Sequence, residues 1–469
     1  MTLFESNTDK PKFTLRSNQI PAVEKGISFL KSKSIRPSII VAPTAYGKSI
    51  VIASIAKEID GRTIILQPSK ELLEQNYNKL IALGGQACIY SASMNQKNIG
   101  KITYATIGSI KNIGQKFKNL GFTNLIIDEA HLYPRSESSM FGTFMKSAQI
   151  KTVLGLTATP FRLQTNTDMM RNKFSKLVML TNRSKQGNFF HDIIHVTQIK
   201  EMVDSKFWTK LSYETYDMDS GMLKFNTTGS EYTDESLEAF LKINNIEGRI
   251  VEWSKRTSKK SALIFLPTVV SAKNISNQIP QSAVVYGDMP KDERDYTISQ
   301  FKAGKIRFIL NVNVLSVGFD YPQIDAIVMG RPTASLAWYY QVLGRGTRVH
   351  PDKKDCLIVD FTNNTEKFGK IEDMYFKKEN TWKLYGTKGK LLTGIPMSEI
   401  GIHFDPEKEA NKPLSNMIVK FGKHAGKKVS KIPHDYLKWM LKEFKFTNHN
   451  MNLKIEIEKV LKINQAIEI

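Results

Sequence analysis

Three short stretches of this sequence carry the side chains needed to hold and cleave a polyphosphate. In the first, the apolar run Ile39-Ile40-Val41 gives way to Ala42-Pro43-Thr44-Ala45-Tyr46-Gly47-Lys48-Ser49. A strand that passes through a small-residue turn into a helix points backbone N–H groups, and the positive end of the helix, at an anion. On that reading Thr44, Ala45, Tyr46 and Gly47 cradle the phosphates, Lys48 reaches the β and γ groups, and the Ser49 hydroxyl sits on Mg²⁺. Alanine resists φ > 0, so Ala45 is expected in an ordinary region of backbone space. The second stretch is Leu125-Ile126-Ile127-Asp128-Glu129-Ala130-His131, where an apolar strand delivers two adjacent carboxylates to its carboxyl end. Asp128 suits the orientation of Mg²⁺ and Glu129 the polarisation of an attacking water. The third is Gln341-Val342-Leu343-Gly344-Arg345-Gly346-Thr347-Arg348. Arginines at i and i+3 share a helix face, so both forks can point at one γ-phosphate across a cleft.

Each stretch has a plainer reading: a chance Gly-Lys-Ser, a solvated acidic pair, a basic helix face. Their order along the chain, each after an apolar run, favours the chemistry. Before the first, residues 12–30 read as an amphipathic helix with Ile20, Val23, Ile27 and Leu30 at helical spacing. At its start stand Arg16 and Gln19, and a glutamine amide can pair with the adenine edge of ATP. Further strand-like runs at 63–66, 101–109 and 152–156 alternate with helical segments, and the pattern returns at 261–268, 282–286, 305–312 and 326–329. Such alternation implies an α/β architecture with parallel, doubly wound sheets. Ser69 and Lys70 stand where a strand becomes a helix and can hold a phosphate there, although Ser69 also reads as an ordinary N-cap. Thr157 and Thr159 end another strand with hydroxyls that can bond to the acidic segment. Residues 180–250 break the rhythm, and Phe207-Trp208 inside them reads either as a wedge against a base pair or as core beside Leu211.

Taken in order, Gln19, APTAYGKS, QPSKELLEQ, DEAH and LTATP resemble the first motor domain of superfamily 2 helicases, and SVGFD and QVLGRGTR resemble the second. The likeness covers roughly residues 12–365 and is greatest to the RadD, UvsW and RecG group and to branched-DNA helicases of tailed phages. It implies two tandem RecA-like domains with ATP and Mg²⁺ in the cleft between them. It further implies that Gln341, Arg345 and Arg348 complete that site, that Gly318 and Asp320 link it to the nucleic-acid surface, and that Thr157, Thr159 and His131 couple the two. A tracking strand would lie on Pro68, Ser69, Lys70, Thr106, Thr268, Asn311 and Ser316. The implied boundaries are a first RecA-like domain at 1–183, a linker and extension at 184–250, a second RecA-like domain at 251–395 and a small basic α+β module at 396–469. The implied activity is an ATP-dependent DNA helicase acting on forked or branched intermediates in replication, recombination or repair. A duplex translocase and an RNA helicase are the competing readings.

Composition agrees with a nucleic-acid partner. A formal charge of +22 and a pI near 9.6 call for a polyanion, although a lysine-rich chain also gains solubility this way. No apolar stretch is long enough to cross a membrane, and two distant cysteines, Cys88 and Cys356, argue against a disulfide framework. A monomeric motor in a bacterial cytoplasm, or a phage protein within its host, is expected. Near the C-terminus, lysines interleave with Tyr375, Phe376, Trp382 and Tyr385. Beyond them a glycine-punctuated basic hairpin with Lys420, Lys423, Lys427 and Lys428 precedes a helix with Tyr436, Leu437 and Met440 inward, and DNA contact is expected through those lysines.

Overall fold

Runs of Ile, Val and Leu long enough to be buried on both faces form the central strands of two large sheets, and helices connect most successive strands. The computed structural model describes residues 13–133, 136, 138–167, 173–181, 189–315, 319–397, 400, 417–419, 422–444, 446 and 451–465. In chain order the strands are β1 (Ser38–Val41), β2 (Arg62–Gln67), β3 (Cys88–Ser91), β4 (Gln96–Lys97), β5 (Ile102–Thr106), β6 (Phe122–Asp128), β7 (Thr152–Thr157), β8 (Phe161–Thr167), β9 (Lys173–Met179) and β10 (Asp192–Val196). They continue with β11 (Lys210–Thr215), β12 (Ala262–Phe265), β13 (Ser282–Tyr286), β14 (Phe308–Val312), β15 (Ala326–Met329), β16 (Asp355–Asp360), β17 (Tyr375–Lys378) and β18 (Trp382–Tyr385).

The first sheet has eight strands in the order β10-β1-β7-β6-β2-β5-β3-β4, parallel except for the β3–β4 pair. The second has six, β11-β16-β15-β12-β14-β13, all parallel. Central strands are sealed: every residue of β1, β7, β12, β14 and β15 is buried. These are two RecA-like domains.

The boundary expected at 183 falls too early, because β10 pairs in parallel with β1 and closes that edge of the first sheet. Likewise β11 pairs with β16, so the second sheet recruits residues well before 251. Both are edge strands, DIIHV and KLSYET, and an edge strand carries polar residues that hide it from a search for apolar runs. The hairpin β17–β18 also departs from its place in the sequence. The Gln198 amide pairs with both backbone groups of Phe376, at 2.7 and 3.0 Å, and Asp192 takes bonds from Lys378 and Trp382, so the hairpin straps the chain back onto the first domain. The C-terminal module has its own apolar cluster, built from Val419, Val429, Ile432, Leu437, Met440, Leu453, Ile457 and Val460.

Candidate active site

The turn after β1 brings residues 43–49 to the lining of one cavity, and that path has left-handed backbone at two places. Gly47, at φ 89°, caps the helix Lys48–Glu58, and a Cβ there would come 2.7 Å from the Gln19 amide nitrogen. Ala45 is the second, at φ 57°, against the expectation of an ordinary conformation. The misfit costs about 1 kcal/mol. Surrounding bonds hold it: Arg16 Nη1 donates to the Ala45 carbonyl at 3.3 Å, and Gln19 Nε2 to the Tyr46 carbonyl at 2.6 Å.

Asp128 ends β6 within the core. Its oxygens accept from the Glu129 amide at 2.9 Å and from Asn76 Nδ2 at 3.1 Å. Burial, with the Glu129 charge beside it, pushes the Asp128 carboxyl up to about 6. Glu129 lies in the left-handed region at φ 48°, and its Oε1 is 2.8 Å from Lys48 Nζ. Burial alone would raise its pKa, but Lys48, His131 and Arg345 outweigh that and hold it below the usual carboxylate range.

From the second domain the helix Leu336–Gly346, N-capped by Ser335, runs into the same space. It ends before Arg348, so the two arginines leave from the last helical turn and the turn beyond it rather than from one continuous helix face. They still converge. Arg345 Nη1 donates to the Phe319 carbonyl at 2.8 Å, and Arg348 Nε pairs with Asp320 at 2.8 Å. Burial pushes the pKa of both guanidinium groups down. Lys353 Nζ binds the Gly346 and Arg348 carbonyls at 2.8 and 2.7 Å and so caps this segment.

The two domains meet closely here. A Cβ on Gly344 would lie 2.5 Å from Thr44 Oγ1, so glycine is what lets the helix touch the phosphate loop. The result is a cavity of about 300 Å³ lined by Thr44–Ser49, Asp128 and Glu129 on one side and by Asp320, Gln341, Arg345 and Arg348 on the other. A polar chain spans the same interface: Thr157 Oγ1 to His131 Nδ1 at 2.9 Å, then His131 Nε2 to the Gln341 amide at 3.2 Å. Thr159 joins it only through its backbone, which donates to Thr157 Oγ1, while its own hydroxyl is buried without a partner.

Known proteins with this arrangement are recognisable. Residues 12–162 match the family model for the res subunit of type III restriction enzymes, and residues 241–350 match the helicase conserved C-terminal domain. A 51.5 kDa protein of a Lactococcus phage is 24% identical over 364 residues, which is 74% of this chain and 71% of that one. This chain belongs to the superfamily 2 helicases. It is accordingly an ATP-hydrolysing enzyme. The helicase is also 26% identical over 393 residues to the DNA 3'-5' translocase XPB2 of Sulfurisphaera tokodaii, covering 76% of this chain and 84% of that protein. It spans only about half of two fungal relatives, 51% and 55% of their lengths. Among solved structures, the ATP-dependent Type ISP restriction-modification enzyme LlaBIII shares its fold, with a TM-score of 0.55 at 18% identity over 75% of this chain and 28% of that one.

Several expected placements need correction. Gln19 is buried and spends its amide on the chain itself, accepting from the Arg16 amide and donating to Tyr46, so it does not line the cavity of the helicase. Arg16 does, with its guanidinium 4.7 Å from the Phe207 ring centroid, and Phe207 lines the cavity too. The wedge reading of Phe207-Trp208 therefore falls. Trp208 is core, with its indole N–H donating to the Thr44 carbonyl at 2.8 Å. On the strand side, Pro68, Ser69, Lys70, Thr106 and Thr268 are half-buried at the carboxyl ends of β2, β5 and β12, where Ser69 and Thr268 act as helix N-caps. Asn311 is instead 1% exposed, with its amide oxygen tying the Val314 and Leu315 amides, so it offers a strand no exposed side chain. Ser316, Gly318 and Lys420 lie outside the described residues. Lys423, Lys427 and Lys428 are exposed on the C-terminal module.

Lys79 is a charged cavity residue that the motifs did not mark. Lys79 sits on the helix Lys70–Ala82 one stride beyond Leu72 and Gln75, which line the cavity with it, and that i, i+3, i+7 stripe was the available signal. Burial pushes its pKa down, while Asp320 and Asp128 work the other way. Lys79→Met is expected to raise KM for ATP by about 10-fold through loss of one charged contact to phosphate. Unchanged KM and kcat would leave Lys79 with a packing role only.

Proposed function

We propose that this helicase uses ATP hydrolysis to move along DNA and to separate or remodel the strands of forked and branched intermediates. The observation that carries the reading is one cleft into which two domains direct complementary halves of a phosphoryl-transfer site. Thr44, Ala45, Tyr46 and Gly47 cradle the phosphates, Lys48 neutralises them, and Glu129 orients the attacking water. Arg345 and Arg348 meet the charge that builds on the γ-phosphate, and Arg16 and Phe207 flank the base. Ser49 and Asp128 would hold Mg²⁺, whose charge would offset that of the phosphates. The donor set suits a cation: Ser49 and Asp128 both line the cavity, and the Asp128 oxygens accept from uncharged donors, the Glu129 amide and Asn76 Nδ2. Domain closure on ATP and release after hydrolysis would be transmitted through Gln341, His131 and Thr157 to strand contacts at Pro68, Ser69, Lys70, Thr106 and Thr268.

DNA as the track is supported by the net charge of +22 and by similarity to a protein named as a DNA translocase. The match of residues 12–162 to a restriction-enzyme subunit favours a second reading, movement along duplex without strand separation. Steady-state ATPase with no nucleic acid, single strands, duplex, forks or RNA, followed by unwinding assays, tests both. Stimulation greatest with forked DNA, together with strand separation, is expected. Stimulation by plain duplex without unwinding would select the translocase, and stimulation by RNA alone would refute the DNA reading.

A further inference from the structure

The C-terminal module carries aromatic rings at the rim of its own apolar cluster: Tyr436 packs against that cluster and Trp439 stands beyond it. Its helix His434–Glu443 turns Leu437 and Met440 into the apolar cluster, yet Trp439 stands on the outer side, 51% exposed and outside that cluster. Tyr436 lies one turn earlier, its ring centroid 5.2 Å from Trp439 with planes 35° apart. The His424 ring stands 4.6 Å from Tyr436, nearly edge-on at 75°. Gly422, at φ 70°, lets the preceding turn rest against Tyr436, since a Cβ there would come 2.6 Å from the tyrosine hydroxyl. Three rings thus form a continuous step, beside a turn whose left-handed Gly422 would be strained by any side chain.

The surroundings are basic. Lys423, Lys427 and Lys428 are exposed on the segment that carries His424, and Lys438 and Lys442 on the helix that carries Trp439, with Asp435 and Glu443 the acidic residues of that helix. Residues 417–465 contain eleven lysines against four acidic residues. A large exposed tryptophan amid such charge suits a partner that offers flat apolar faces and a polyanionic backbone together. Unpaired nucleotides offer both, whereas duplex DNA hides its base faces in the stack.

We propose that Trp439, Tyr436 and His424 form a stacking platform for unpaired bases, with Lys423, Lys427 and Lys428 holding the phosphates, a single-strand site built outside the ATP cleft. The inference rests on DNA being the track of this motor. Base stacking is indifferent to sequence, so the platform binds single strands generally.

The test measures the affinity of the full chain for fluorescent oligo(dT), which has no secondary structure, and for a blunt duplex, at two salt concentrations, alongside ATPase without DNA. Trp439→Ala is expected to weaken oligo(dT) binding by about 10-fold. Its duplex binding and DNA-free ATPase should stay at the parent level. Trp439→Phe keeps a π-face and should recover most of the loss. The pair Lys427→Gln and Lys428→Gln should weaken binding and flatten its salt dependence. Parent-level oligo(dT) affinity in Trp439→Ala, or equal losses in the Ala and Phe variants, overturns the platform while DNA-stimulated ATPase keeps the motor reading intact. Failure of the parent protein to bind or respond to any DNA would overturn both.

Discussion

Replacing Arg345 with alanine is expected to lower kcat for ATP turnover by about 10³-fold, with KM changed by no more than about 3-fold. The reason is geometric. Arg345 belongs to the second domain, yet it lines the cavity that contains Lys48 and Glu129, so under the proposed function its guanidinium would meet the phosphates from the side opposite the loop at residues 44–49. An interaction of this kind strengthens as charge accumulates on the γ-phosphate, and so it lowers the barrier more than it tightens ATP. Arg345→Lys should rescue little, because an ammonium cannot reproduce a planar fork that also donates to the Phe319 carbonyl. Loss of that bond leaves a carbonyl short of a partner at a cost of about 1 kcal/mol, so thermal unfolding of the variant should shift only slightly. A kcat within about 10-fold of the parent would remove Arg345 from the transition state.

Glu129→Gln is expected to separate binding from turnover. Loss of the carboxylate that orients water should cut kcat by about 10³-fold. ATP, by contrast, should bind more tightly than to the parent. Lys48 Nζ lies 2.8 Å from Glu129 Oε1, so phosphate oxygens must compete with a carboxylate for the same ammonium, and glutamine of the same shape removes that competitor's charge. Equilibrium binding of a fluorescent ATP analogue and single-turnover hydrolysis read the two effects independently. A variant that binds ATP more weakly than the parent, or that keeps its turnover, contradicts the assignment.

Both predictions use residues that the local amino-acid pattern marks by itself. Lys48, Asp128, Glu129, Arg345 and Arg348 each stand at or close to the end of an element with a strong local signature, an Ile- or Leu-rich strand or an apolar helix, and a short covalent distance fixes where such a side chain emerges. The double α/β alternation is legible for the same reason. The edge strands β10 and β11 are not, because half of each faces outward and its polar residues break the apolar run. Gln19 is legible as part of a motif but not in its use, since whether a buried amide faces a ligand or its own backbone depends on what packs over it.

The sequence by itself determined the two α/β domains and the positions of the phosphate loop, the acidic pair and the arginine pair, since each is a local pattern attached to a strand or helix that the apolar periodicity marks. Only the tertiary structure decided what meets across the cleft. Thr44 against Gly344, His131 against Gln341, and Phe207 beneath Arg16 join residues that are far apart in sequence. It also decided that Ala45 is left-handed, that Asn311 is buried, and that β17–β18 returns to the first domain. No local propensity encodes those outcomes. They follow from filling a shared interior at crystal-like density, where the position of each side chain depends on all its neighbours at once.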